Sequence, residues 1–210
     1  MAIKSQGALL RVSTADGASK TITAITAANP PVVTSAAHGL ANGSIVLISG
    51  VVGMTQVNNR AFHLENQATN TFELAGVDGT GYSAYTSGGT ALVKTMSTIG
   101  EVSGVSGFDG VADEIDVTNL QSTAKEFLIG LQDFGNLTME VNLANTDVGQ
   151  IKLRNLKAAA TIGYFAITLS DTKVSAFAAL VRSFTFSNPQ NDGARGSVQL
   201  RITGEPQWFS

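Results

Sequence analysis

The chain has no cysteine in its 210 residues, and this single absence removes disulfide frameworks, cysteine-ligated zinc, iron–sulfur clusters and thiol nucleophiles. Charge is scarce as well. Only 14% of residues are Asp, Glu, Lys or Arg, against about 25% in ordinary soluble domains, so Ser, Thr, Asn, Gly or neighbouring subunits must cover much of the surface. A formal net charge of −3 leaves no broad basic footprint for gripping the outside of nucleic acid. Histidine occurs only at His38 and His63, without the His-x-x-x-His spacing or carboxylate cluster that would complete a metal site. No window approaches the roughly 20 apolar residues of a membrane helix, and Met1 to Gly7 has no apolar leader. A protein without cofactor, made in the cytoplasm and not inserted in a membrane, is expected.

What is present is apolar and turn-rich. Hydrophobic residues make up 43% of the chain and glycines number 22, which suits one large β domain or two modest ones. Leu137, Met139, Val141 and Leu143 alternate with Thr138, Glu140 and Asn142, the period of a half-buried strand. Val198, Leu200 and Ile202 alternate with Ser197, Gln199, Arg201 and Thr203 in the same way. Further strands are expected at Ala8 to Val12, Phe165 to Leu169 and Leu180 to Phe186, with turns at Ser170 to Thr172 and Asn188 to Gly193. One helix is expected between them: Asn145 or Thr146 as cap, Asp147 in the first turn, Leu153, Leu156 and Ala160 on one face, and Lys152, Arg154 and Lys157 along its later half.

From Thr21 to Val93 acidic residues thin out and Gly, Ala, Thr and Asn dominate. Ile45 to Ile48 reads as a buried strand closed by Gly50. Ala61 to Leu64 and Thr71 to Leu74 flank the turn Asn66 to Asn70 as a hairpin, and Gly88-Gly89 precedes a last strand from Thr90 to Val93. The segment reads as a separate small β module.

Catalytic patterns are missing. Gly104-Val105-Ser106-Gly107 is not a nucleophile elbow, and the glycine-rich run from Glu101 to Gly110 has no phosphate-binding pattern; it reads as a flexible turn beside a sheet. Asp109, Asp113, Glu114 and Asp116 lack calcium-loop spacing and suit a solvated or intersubunit loop. Phe127, Leu128, Phe134, Trp208 and Phe209 suit either the core or an anchor on a neighbouring subunit. His38-Gly39 reads as a turn, and Tyr82 and Tyr85 as surfaces for stacking.

Ile115-Asp116-Val117-Thr118, Lys125-Glu126-Phe127, Gly130-Leu131-Gln132-Asp133-Phe134-Gly135 and the alternating strand after them resemble the major tail tube protein of long-tailed, siphophage-type bacteriophages. The run NPPVVTSAAHGLANGSIVLISGVVGMTQVN, with Asn70 to Leu74 and the turn Val77 to Tyr82, resembles a small β-barrel module of phage structural proteins. A half-domain of ubiquitin-activating enzymes is among that module's relatives, in fold only. The resemblance implies a mainly β antiparallel sandwich or partial barrel with one flanking α-helix and an inserted β-barrel-like module. The body would comprise residues 1–20 and 95–210, and the module residues 21–94 on the outer surface.

The function implied is structural: stacked hexameric rings around a channel that conducts viral DNA without binding it specifically. The partners implied are the chain itself and the tape-measure, tail-tip and tail-terminator proteins, in a virion tail assembled in the host cytoplasm. Loops or terminal arms would clasp the next ring, and a smooth, weakly acidic lumen would let a polyanion slide. Thr138, Glu140 and Asn142 are the lumen-facing candidates. Asp109, Asp113, Phe127, Asp133, Phe134 and Trp208 are the ring or stacking candidates. The rival reading is a phage decoration or adhesin whose module binds a surface; an enzyme would need a site without any recognisable motif.

Overall fold

The computed structural model describes residues 6–188, 190 and 193–209. Met1 to Ser5 of the N-terminal stretch, and Pro189, Asn191 and Asp192 of the expected turn, lie outside the described residues. Among those described, twelve strands form one continuous antiparallel series and two more form a separate ribbon. In chain order they are β1 (Leu9–Thr21), β2 (Ala24–Ile25), β3 (Val32–Thr34), β4 (Ile45–Val52), β5 (Arg60–Glu65), β6 (Thr71–Leu74), β7 (Ser87–Thr98), β8 (Val102–Gly107), β9 (Glu114–Asp116), β10 (Phe127–Ile129), β11 (Asn136–Asn142), β12 (Ile162–Thr168), β13 (Val174–Ser187) and β14 (Arg195–Gln207). Helix α1 (Val148–Ala159) joins β11 to β12. The expected mainly β fold with one flanking helix is what forms.

The spatial order is β2-β3-β6-β5-β4-β7-β1-β12-β13-β14-β11-β8, and it curls twice. Leu10 and Val12 of β1 share a core with Leu137, Met139 and Val141 of β11, four strands away, so this half of the sheet wraps around its apolar face. Leu153 and Leu156 of α1 complete that core together with Phe165, Phe177, Val198 and Leu200. A second core, from Ile22 to Ala91, gathers Ile25 of β2, Phe72 of β6, Phe62 of β5 and Ile48 of β4. Between the two, Ile45 and Ala61 meet Ala166, Val174 and Ala176; these small side chains let the sheets approach closely.

β1 and β7 run side by side from one core to the other, with Arg11 opposite Thr98 and Thr21 opposite Thr90. Both are longer than their apolar runs suggested. The extra length is mostly Ala, Asp, Gly, Ser and Thr, with Lys20, Lys94 and Met96 among them, and ladder partners hold it extended although its periodicity does not mark a strand. Gly50 does not end β4: it takes a positive φ of 73° inside the strand, a conformation that glycine adopts without strain. Gly88 and Gly89 likewise lie within β7.

Helix α1 corrects the expected cap. Asp147, not Asn145 or Thr146, is the N-cap, and its carboxylate accepts from the Gln150 N–H. Ala160 is not on the buried face; it is the left-handed C-cap at φ 51°. The helix buries Gly149 and Gln150 instead, because a Cβ at Gly149 would meet the Thr98 carbonyl oxygen and Ile99 Cα at 2.7 Å. The buried Gln150 amide donates to the Gly100 and Asn142 carbonyls and its oxygen accepts from the Ala144 N–H. One side chain thus pins the β7–β8 turn to the end of β11. Residues Val102 to Gly107, expected as a flexible turn, are strand β8, because Thr138, Met139 and Glu140 supply a ladder to Ser106, Val105 and Gly104.

Candidate functional site

Three surfaces are set up by this fold. The first is the solvent face of β8, β11, β14 and β13. Register places Thr138 opposite Gln199, Glu140 opposite Ser197 and Asn142 opposite Arg195. On the far side of β11, Thr138 faces Ser106 and Glu140 faces Gly104. Leu137, Met139 and Val141 are buried beneath, so Thr138, Glu140 and Asn142 share the outer face as expected from their alternation. Ser197 donates to the Glu140 carboxylate at 2.8 Å, Thr185 to the Ser197 carbonyl at 3.2 Å, and Asn142 to the Glu101 carboxylate at 3.4 Å. Glu101, Glu140 and Asp133 stand with Arg195 and Arg201 on or beside this face. It is hydroxyl- and amide-rich, with charges of both signs.

The second surface is an arm, residues 109–135, that leaves the sheet after β8 and returns into β11. Its root is tightly made. Asp109 accepts from the Asn136 N–H at 2.6 Å, and Asp133 accepts from the Gly135 N–H at 2.8 Å and from Arg201 at 2.5 Å. The Gly135 hydrogen bond, and after it Arg201, hold the Asp133 carboxyl below its ordinary value. Gly110 and Gly135 let the two chain segments touch, since a Cβ at Gly110 would strike the Asp133 backbone. Trp208 lies 5.3 Å from the Phe108 ring and 6.5 Å from Phe134, and Phe108 packs edge-on to Phe177 at 5.4 Å.

The structure therefore gathers Asp109, Asp133, Phe134 and Trp208 at one place. Asp109 and Asp133 are committed to bonds within their own chain, while Trp208 keeps half its surface exposed. Asp113 and Phe127 are not part of that root. They lie out on the β9–β10 ribbon, where Phe127 pairs with Asp116 and Leu128 with Ile115. Among the described residues nothing else covers this ribbon: Phe127 and Leu128 are exposed, Ile129 is 76% exposed and Leu131 87%.

The third surface is the seam between the two cores. The buried Gln207 reaches from the end of β14 into β5 and β6, where it accepts from the His63 N–H at 2.5 Å and donates to the His63 and Ala75 carbonyls. Arg60 pairs with Glu205 at 3.0 Å. Lys94, buried, pairs with Asp16 at 2.6 Å and lies 4.5 Å over the Tyr164 ring. Burial lowers the His63 pKa, with Glu65 opposing. His38 is a turn and packing residue, its Nδ1 accepting from the Leu40 N–H and its ring edge-on to Phe72. Tyr82 and Tyr85 are not open stacking surfaces: Tyr82 accepts from Arg60, and Tyr85 donates to backbone carbonyls. Among the described residues no group of three or more His, Asp or Glu side chains could hold a metal.

Sequence reasoning missed Gln150, Gln207 and Arg201 as organisers of these surfaces, since a single Gln or Arg carries no local pattern. The acidity of the arm was countable in advance.

Residues 79–176 match the family described as phage tail tube, TTP, lambda-like. Residues 28–94 match the ubiquitin-activating enzyme E1 FCCH domain, in a chain without the cysteine that thioester chemistry requires. Structural protein 3 of Pseudomonas phage PAJU2 is 27% identical over 129 residues, a match covering 51% of this chain and 79% of that one. Two solved assemblies are similar in structure at 17% identity and a TM-score of 0.48. One is the tail of an empty gene transfer agent particle, computed with helical refinement and C6 symmetry, and the other a native gene transfer agent virion. Each covers 55% of this chain, and 86% and 88% of the respective matched chain.

Proposed function

We propose that this subunit polymerises as stacked hexameric rings around a channel for the viral DNA. The observation that carries the reading is the one-sided sheet β13-β14-β11-β8 within the tail tube body. One face is buried, the other is polar, and the series stops at β8, which among the described residues pairs only with β11. An open strand edge beside a hydrophilic face invites a neighbour, and closing a ring removes all such edges together.

Thr138, Glu140 and Asn142 then line the channel. Hydroxyls, amides and charges of mixed sign give a polyanion no continuous row of cations to bind, so DNA passes without being held. Residues 1–20 and 95–210 form the wall, and residues 21–94 an inserted module on its outside, with Asp16–Lys94 and Gln207 fixing its angle. Asp109, Asp113, Phe127, Asp133, Phe134 and Trp208 belong to the contacts between subunits. Tape-measure, tail-tip and tail-terminator proteins complete such a tail.

Negative-stain electron microscopy of the purified chain, alone and with tail-tip components, tests this directly. Hollow tubes or six-fold rings are expected. Discrete non-tubular oligomers under both conditions would favour a decoration or adhesin instead.

A further inference from the structure

The arm poses a physical problem within the single chain. Two strands of three residues make a ribbon that is marginal in water without a surface to pack on, yet Ile115, Leu120, Leu128, Ile129 and Leu131 are all exposed on it or beside it. Its charge is equally one-sided. Residues 109–135 hold six carboxylates and one lysine, a net −5. Since the whole chain carries −3, everything outside the arm carries +2.

A matching surface lies elsewhere on the molecule. Between α1 and the adjoining ends of β13 and β14 there is a groove of about 690 Å³. It is lined by Arg154 and Lys157 from the helix and by Phe184 and Phe186 from β13. Arg154 is held over the Phe184 ring at 6.0 Å and donates to the Asn145 side chain at 3.0 Å, so this cation is preplaced. Phe186 is 76% exposed, and α1 carries Lys152, Arg154 and Lys157 with no acidic residue.

The positions of arm and groove decide who the occupant is. The arm's root abuts Asn136, opposite Arg201, at one end of the β11–β14 ladder; the groove abuts Leu143 and Ala194, just past Asn142 opposite Arg195, at the other. Seven register pairs separate them, about 20 Å at strand rise. Two complementary surfaces at opposite ends of one subunit join copies head to tail, and such heterologous contacts propagate without limit.

We infer that the acidic β9–β10 arm of one copy docks in the Arg154–Lys157–Phe184–Phe186 groove of a second copy in the next ring. This rests on the tube reading above and adds to it the receiving surface and the polarity of stacking.

The absence of native cysteine makes a clean test available. Leu120→Cys in the arm and Ala158→Cys beside the groove are made singly and together, and joined by a short bismaleimide in protein sedimented as tubes. Mixing the two single variants should give crosslinked dimers, and the double variant a ladder of higher multimers; each single variant alone should give neither. A second test reverses charge. Glu114→Lys or Lys157→Glu alone should raise the concentration needed for tube growth roughly tenfold, as a lost interfacial charge contact of about 1.4 kcal/mol requires. The two reversals combined in one chain should recover most of it. Tubes that form but neither crosslink nor respond to the reversals would overturn the arm-to-groove contact and leave the tube reading standing. A native chain that forms neither rings nor tubes with tail-tip components would overturn both.

Discussion

The β module and the arm are both excursions from the same sheet, and they end in opposite states. Residues 22–91 bury Phe62, Leu64, Phe72, Leu74, Val46 and Ile48 completely, and the seam ties the module to the body through Gln207, Arg60 and Lys94. Residues 109–135 are anchored at the root by Asp109, Asp133 and Gly135 but bury almost nothing beyond it. One excursion satisfies its apolar side chains within the chain; the other leaves them for something outside. What is folded internally is stable on its own, and what is left exposed is available to drive association.

The largest effect expected from breaking this contrast is at the module core. Phe72→Ala should cost about 3–5 kcal/mol in denaturant unfolding, whereas replacing residues 118–125 of the arm by a short Gly-Ser turn should leave the unfolding midpoint of the monomer unchanged and stop tube growth. Equal losses of stability in the two variants would erase the distinction drawn here.

Next comes the seam. Gln207→Leu strands the His63 N–H and the Ala75 carbonyl in a dry site, about 1–3 kcal/mol for a buried group left unpaired. It should also split a single unfolding transition into two as the module uncouples, visible by calorimetry.

A smaller effect is tied to pH. Burial holds the folded His63 pKa below 6.5, so below pH 6.5 the unfolded chain takes up a proton that the folded one resists, and stability falls as pH drops. Above pH 6.5 this contribution is complete. His63→Asn should flatten the dependence of the melting temperature on pH between about 7.5 and 5; an unchanged slope would assign it to other groups.

The smallest is at the arm's root. The depressed Asp133 pKa means that its contribution is present above the ordinary carboxylate range near 3.9 and fades as pH falls through the lower folded value. Because Asp133 is open to solvent, Asp133→Asn should barely move global stability, but should speed hydrogen exchange of the Gly135 amide at neutral pH.

Much of this was readable along the chain. β6 forms at the expected residues, Thr71–Leu74, and β11 over nearly its expected span, because clean alternation and flanking turns leave few options. Where reading fell short, the deciding contacts were distant in sequence. Val102 to Gly107 looks like a turn because its glycines and serines have no β propensity, yet β11 supplies the ladder. Asp147 rather than Asn145 caps α1, and three adjacent polar residues gave local pattern no means to choose among them. Of the assembly candidates, Thr138, Glu140 and Asn142 followed from period two, while the bonding of Asp109 and Asp133 within the chain became visible only once Asn136 and Arg201 were beside them.

By itself the sequence determined the strand alternation, the basic helix, the absence of thiol chemistry and the acidity of the arm, all of which are local or compositional properties. The tertiary structure alone decided that Gln207 would bond to His63, 144 residues away in the chain, that the β1–β7 pair would reach from one core to the other, and that the acidic arm and the cationic groove would lie at opposite ends of one ladder. Those outcomes depend on strand order and on the curl of the sheet, which arise from how whole faces bury against one another and which no residue's neighbours in sequence encode.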